Sequence, residues 1–169
     1  MDSILPALLA VTVLVLASLM IGRSSFSSFN LLGDAWRDAE ERSVELVRSD
    51  ITITSITVSG VRTTVDVVVR NDGSTSVTDF SRMDVVLQYV EDVGGQSLIV
   101  WVPFSATGPP DNNWTVLSIS NDVIDPGVLN MGESMTIRIR LNPKLKNNQS
   151  HWVQVTTELG ISASSFFTS

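Results

Sequence analysis

From Ile4 to Ile21 the chain carries no charge and is dominated by Leu, Val, Ile and Ala, broken only by Pro6, Thr12 and Ser18. As a helix rising about 1.5 Å per residue, this run is roughly 27 Å long, close to the hydrocarbon thickness of a bilayer. It is apolar all the way round rather than striped, so it requires lipid or other apolar helices on every side. A globular domain that covered one face would leave the other in water. The residues expected to pack in such surroundings are Ile4, Leu5, Leu8, Leu9, Val11, Leu14, Val15, Leu16, Leu19 and Ile21.

No Lys or Arg precedes the run, and the first basic residue is Arg23. A secretory leader has basic residues first and a small-residue cleavage site afterwards, which is not the order here. Read literally, the positive-inside rule would place the N-terminus outside and the polar part in the cytoplasm. A short basic leader already removed would resolve this in favour of an outside polar domain. The expectation is therefore a processed chain that starts with its apolar helix. The Ser24-Ser25-Phe26-Ser27-Ser28-Phe29 stretch that follows is either a pliant joint, through hydroxyls bonding back to helix carbonyls, or an ordinary interfacial segment.

From Phe29 the pattern becomes striped. Phe29, Leu32, Trp36, Ala39, Ser43 and Leu46 recur at spacings of three and four, while Asp34, Arg37, Asp38, Glu40, Glu41, Arg42 and Glu45 fill the remaining positions. The spacing predicts an amphipathic continuation of the same helix, with Phe26, Phe29, Leu32 and Trp36 added to its packing residues. A continuous rod to about Arg48 would be roughly 70 Å long.

After Ser49 the period drops to two. Val61, Thr63, Val65, Val67 and Val69 are expected on one face of a strand, with Arg62, Thr64, Asp66 and Arg70 on the other, where Val68 is the exception to the polar pattern. Met135, Ile137, Ile139 and Leu141 alternate with Thr136, Arg138 and Arg140, the pattern of a strand with one solvated face. Further strands are predicted at 51–58, 83–90, 98–104, 114–120, 151–157 and 161–167, with no helix between them. Turns are expected at Asn71-Asp72-Gly73-Ser74, Gly94-Gly95, Gly108-Pro109-Pro110-Asp111, Asp125-Pro126-Gly127 and Asn147-Asn148. The fold class is thus α+β: a long N-terminal hydrophobic to amphipathic helix over 1–49, then an immunoglobulin-like antiparallel β-sandwich over 50–169.

The chemistry on offer is sparse. With 169 residues there is room for the helix and one modest domain. The chain has no cysteine, which removes disulfides, thiolate metal sites and Cys nucleophiles. A net charge of -7 with scattered basic residues argues against a nucleic-acid partner. The single histidine, His151, sits beside Trp152 in a predicted strand and suits packing better than catalysis. Asp111, Asp122 and Asp125 could offer oxygens to calcium, but their spacing matches no regular loop and favours turn formation. No serine has a base to activate it, and no glycine-rich turn opens a helix. These readings give no catalytic residue, no metal site, no cofactor and no enzyme. Two tripeptides, Asn113-Trp114-Thr115 and Asn148-Gln149-Ser150, fit the N-glycosylation pattern, which makes Asn113 and Asn148 candidate acceptors.

The apolar start, the helix continuing through Phe29, Trp36 and Leu46, and the change to an all-β domain at Asp50 resemble an archaellin, the archaeal flagellin within the type IV pilin-like superfamily. The resemblance covers the whole chain in layout. It implies a leader cut by a prepilin-type peptidase, insertion in the cytoplasmic membrane, and a membrane assembly platform. It further implies polymerisation with copies of itself into a cell-surface motility filament. The run from Val65 to Asn71-Asp72-Gly73, then Asp84-Val85-Val86, and later Pro126-Gly127 with Gly132-Glu133, is similar to the β domains of archaellar accessory proteins, which act as stator components. A stator or accessory protein, or a minor pilin, is therefore the alternative expectation. A membrane-anchored binding domain is a third.

Overall fold

The computed structural model describes residues 4–169; within the helix, the side chains of residues 4–7, 21–32 and 34 lie outside the described set. The packing expectations for Ile4, Leu5, Ile21, Phe26, Phe29 and Leu32 fall on those side chains. The backbone is helical over α1, Ile4–Arg48, and eight strands follow. They are β1 (Ile51–Val58), β2 (Thr64–Asn71), β3 (Asp84–Val90), β4 (Ser97–Val102), β5 (Asn113–Ser120), β6 (Ser134–Arg140), β7 (Ser150–Thr156) and β8 (Ser162–Thr168). The chain divides into two compact units, residues 1–44 and Glu45–Ser169.

The second unit holds two four-stranded antiparallel sheets, ordered β1-β2-β6-β5 and β4-β3-β7-β8. Alternation decides what each strand buries. On β2 and β6 the pairs Val65/Ile139, Val67/Ile137 and Val69/Met135 lie opposite one another, and all six side chains are buried. On β3 and β7 the pairs Val85/Val155 and Leu87/Val153 do the same from the other sheet. Both sets belong to one apolar core, completed by Tyr89, Val102, Trp114, Leu129, Leu141 and Leu145. β-Branched residues suit this role because they fill a pleated surface with little rotamer entropy to lose.

Two details depart from the periodicity. Val61 is exposed and Thr63 precedes the strand, because β2 begins at Thr64. Arg62 adopts a left-handed conformation (φ 59°) and its N–H donates to the Ser59 carbonyl at 2.8 Å, so a turn ends the alternation there. Second, a single 3-10 turn, Phe80–Arg82, interrupts the β region. The Asp79 carboxylate caps it by accepting from the Ser81 N–H at 3.1 Å, a local bond that competes with extended pairing.

The junction between α1 and β1 is short and heavily bonded. The Arg48 carbonyl accepts from the N–H groups of Ser74 (2.8 Å) and Thr75 (3.4 Å), and the Asp50 carbonyl from those of Asp72 and Gly73 (both 3.0 Å). A Cβ on Gly73 would stand 2.4 Å from the Arg48 oxygen and 2.4 Å from the Asp50 nitrogen, so only glycine permits this approach.

Candidate assembly surface

On α1 the described side chains from Leu8 to Met20 are all exposed, and the large apolar ones retain between 54% and 76% of their surface. Thr12 and Ser18 are the polar residues of this stretch. Each turns its hydroxyl back along the helix: Thr12 Oγ1 donates to the Leu8 carbonyl and Ser18 Oγ to the Leu14 carbonyl, both at 2.8 Å. The helix thereby satisfies its own hydroxyls and asks nothing polar of what surrounds it. Val11, Leu14, Val15, Ser18 and Leu19 shape a shallow apolar groove along one side. Trp36 is 74% exposed, and Leu46 is exposed near the C-terminal end. Among the described residues, no helix is long and apolar enough to cross a membrane.

The two sheets present very different outer faces. On the β1-β2-β6-β5 sheet, Arg138 forms a fork with Asp66 through two 2.7 Å bonds. Arg70 reaches Asp72 at 3.1 Å and Arg140 reaches Asp111 at 2.8 Å. The expected outward alternation of Asp66, Arg138 and Arg140 is what builds this charged face. Arg62, at the turn, instead joins Lys144 on Asp92, both at 3.0 Å. The Lys144 hydrogen bond, then the charge of Arg62, hold the Asp92 carboxyl below its usual range.

The outer face of the β4-β3-β7-β8 sheet carries apolar residues instead. One row runs Ile99, Gln88, Trp152, Phe166 across the four strands, and the next runs Trp101, Val86, Gln154, Ser164. Ile99, Trp101 and Phe166 are exposed, and Val86 and Trp152 half-buried. The Trp101 indole N–H donates to Asp84 at the margin, at 2.9 Å. This face was not among the residues picked out by periodicity. Its signal lies in the unbroken run Leu98-Ile99-Val100-Trp101-Val102, which is apolar on both faces of a strand, and in Phe166 beside Phe167.

The remaining candidates occupy separate places. Asn113 opens β5 and is half-buried, while its partner residues Trp114 and Thr115 are buried. Asn148, Gln149 and Ser150 are all exposed, with Asn148 at a left-handed turn (φ 56°). Asp111 is taken up by Arg140 and Asn142, and Asp122 accepts the Gly127 N–H. The Asp125 carbonyl accepts the Val128 N–H. Among the described residues no cluster of three metal-binding side chains forms. His151 is 2% exposed, its Nδ1 accepting from the Val90 N–H at 3.3 Å and its Nε2 facing Ser169 Oγ at 3.1 Å. Burial pushes its pKa down, only partly offset by the Lys146 carbonyl.

Comparison with known proteins decides the family. The archaeal-type flagellin model matches residues 7–167. This chain belongs to the archaeal-type flagellin family. Within similar proteins, an uncharacterized protein of Archaeoglobus fulgidus is 27% identical over 132 residues, spanning 78% of this chain and 75% of that one. The archaellum periplasmic stator complex FlaF and FlaG from Sulfolobus acidocaldarius contains a chain 25% identical, with TM-score 0.53, covering 69% of this flagellin-family chain and 87% of its own. The archaeal flagellum of Methanospirillum hungatei has a subunit with TM-score 0.55 at 12% identity, covering 99% of this chain and 93% of that one. At that identity the likeness is one of fold. Archaellum components are cell-surface structural proteins of motility, and the two solved structures come from a stator complex and a flagellum.

Proposed function

We propose that this chain is a non-enzymatic structural subunit of an archaellum-type helical filament, polymerising with copies of itself through α1. The observation that carries the reading is the state of Leu8 to Met20: large apolar side chains open on every side, with both hydroxyls bonded inward. Such a surface is stable only in an apolar environment, first the cytoplasmic membrane and then a core of equivalent helices. Head-to-tail contacts that do not close give an open helical polymer. Trp36 and Leu46 extend the contact to neighbouring subunits. A prepilin-type peptidase and a membrane assembly platform are the partners this route requires. The likeness in fold to the Methanospirillum hungatei subunit, helix and β unit together, is in keeping with it. Of the two glycosylation acceptors, exposed Asn148 suits modification of the folded surface better than Asn113.

One observation favours a second reading. Identity is higher to a chain of the periplasmic stator complex, 25%, than to the filament subunit, 12%. In that reading α1 anchors the chain in the membrane and the β unit works as a stator or accessory part. Electron microscopy of the full chain after removal of detergent separates them: long helical filaments support the first reading, and discrete particles replace it with the second.

A further inference from the structure

We infer that the β units of neighbouring copies dock end to end, the basic end of one copy, which carries Arg62, Lys144 and Lys146, meeting the acidic end of the next, beside Arg48. The inference rests on the filament reading, in which copies of this chain repeat without closing.

The strands define the two ends. β2, β6 and β5 each span from one end, at Thr64, Arg140 and Asn113, to the other, at Asn71, Ser134 and Ser120. At about 3.3 Å per residue the ends lie roughly 20 Å apart. Bonds between loops gather the remaining connections. At the first end Arg62 and Lys144 both reach Asp92, each at 3.0 Å, and the Lys146 N–H donates to the Val90 carbonyl at 2.8 Å. The β1-β2, β3-β4 and β6-β7 connections therefore meet there, and with them both lysines of the chain. At the second end Val77 and Leu129 bridge the loop after β2 to the β5-β6 connection. The Thr78 N–H donates to Glu158 of the β7-β8 turn at 3.0 Å, and the Arg48 carbonyl is tied in through the Ser74 N–H.

Charge separates these ends. At the first, three cations face two carboxylates, Glu91 and Asp92, while Arg140 and Asp111 cancel each other as a pair. Lys146 is exposed and makes no ion pair among the described residues. At the second, Asp50, Asp79, Asp122, Asp125 and Glu158 likewise have no cation at ion-pair distance, and Asp72 is held by Arg70. Against this surplus of carboxylates the loops of that end hold Arg82. Two first ends repel, and two second ends repel more strongly. Only unlike ends attract.

Apolar surface singles out the same pair. Val61 and Val93 stand at the tip of the first end, and Val123, Ile124 and Met131 at that of the second. All five keep more than two-thirds of their surface exposed. An apolar centre ringed by opposite charges is the anatomy of a specific interface. A foreign protein could match one end, but this chain supplies both halves, so each copy completes the next. Contacts of this heterologous kind propagate, in the same sense as the polymer that α1 builds.

Because the chain has no cysteine, single-cysteine variants report contacts cleanly. Full-length Asn147→Cys, at the first end, and Pro126→Cys, at the second, are mixed in detergent and treated with a short bis-maleimide. One chain carries an added tag, so the mixed dimer differs in mass from either like-end dimer. The expected result is a mixed dimer at about tenfold the yield of each like-end dimer, since unlike ends are held together. Lys146→Glu in the first chain, or Ile124→Glu in the second, should each lower that yield about tenfold by setting a carboxylate against the acidic end or into the apolar centre. Both positions are exposed, so unchanged circular dichroism is expected. Raising salt to about 0.5 M should lower the yield as well, by screening the exposed charges. Like-end dimers as abundant as mixed ones, or a mixed yield indifferent to both glutamate variants, would overturn the inference. Electron microscopy of the same chains freed of detergent separates it from the filament reading. Filaments without the unlike-end cross-link sink this inference alone, and unlike-end cross-links in discrete particles sink only the filament.

Discussion

The two units of this chain handle apolar surface in opposite ways. The β unit buries its valines, leucines and isoleucines against each other, and Val65, Leu87, Ile137 and Val153 are fully enclosed by their own chain. α1 leaves Leu8, Leu14 and Leu19 more than half exposed. Composition does not separate them, since both are rich in the same residues. Period does: alternation by two lets strands hide one face behind another sheet, whereas a helix apolar on all sides cannot hide its whole circumference behind one sheet. Stability of the β unit is therefore a property of one molecule, and that of α1 a property of its surroundings.

The largest effect expected from this contrast is on assembly. Leu14→Asp should abolish filament formation, since a carboxylate without a partner in an apolar core costs several kcal/mol in every subunit. The melting temperature of a Glu45–Ser169 fragment should be the same as that of the β unit within the variant. Normal filaments would show that α1 is not the packing core. In the β unit, Ile137→Ala should cost about 2–5 kcal/mol through lost burial and the cavity left behind. Chemical denaturation of the fragment measures it, and a loss below 1 kcal/mol (on the order of a surface change) would contradict the enclosed core. Trp36→Ala in the full chain should fragment or weaken the polymer and leave the unfolding transition of its β unit the same as that of the separate fragment, because Trp36 lies outside that unit.

Smaller effects refine the picture inside the core. Tyr89 Oη and Trp114 Nε1 are buried without a hydrogen-bond partner among the described residues. Burial raises the Tyr89 pKa, with Glu91 adding to it, so the phenol stays neutral and its donor unmet. Tyr89→Phe should thus stabilise the fragment by about 1 kcal/mol by removing a desolvated hydroxyl. The least effect is on pH dependence. The pKa of His151 is lowered in the fold from its ordinary 6.5, so its neutral form contributes stability that is fully present above that value. As pH falls through 6.5 toward the folded pKa the unfolded chain takes up the proton first, and stability declines. His151→Gln should flatten the slope of melting temperature between pH 7 and 5 (about the titration range of histidine); an unchanged slope would place the acid response elsewhere.

Much of the β unit was legible because burial and alternation coincide there. Val65 to Val69 and Met135 to Ile139 declare both their strands and their inner faces. The reading failed at Val61, where Arg62's left-handed backbone ends the alternation that residue type alone continued. It missed the apolar sheet face for a different reason. Ile99, Trp101, Trp152 and Phe166 belong to three strands, and no spacing along one segment reveals a patch that exists only once the sheet is paired. For the glycosylation acceptors, the tripeptides were visible in the sequence. That Thr115 is buried and Ser150 exposed depends on which side of a strand each falls.

The close approach of Gly73 to the end of α1 has a mechanical meaning. Tension delivered through Arg48 and Ser49 reaches β1 beside a backbone clamp whose four hydrogen bonds, to the Arg48 and Asp50 carbonyls, lie next to the first rungs of the β1-β2 ladder. Antiparallel rungs stand perpendicular to their strands, so a pull along β1 strains many of them at once instead of peeling them singly. The clamp acts like a splice between cable and fitting, sharing load over several weak bonds. A methyl group at position 73 would push the loop off the splice, leaving the melting temperature a poor guide to the force at which the unit gives way.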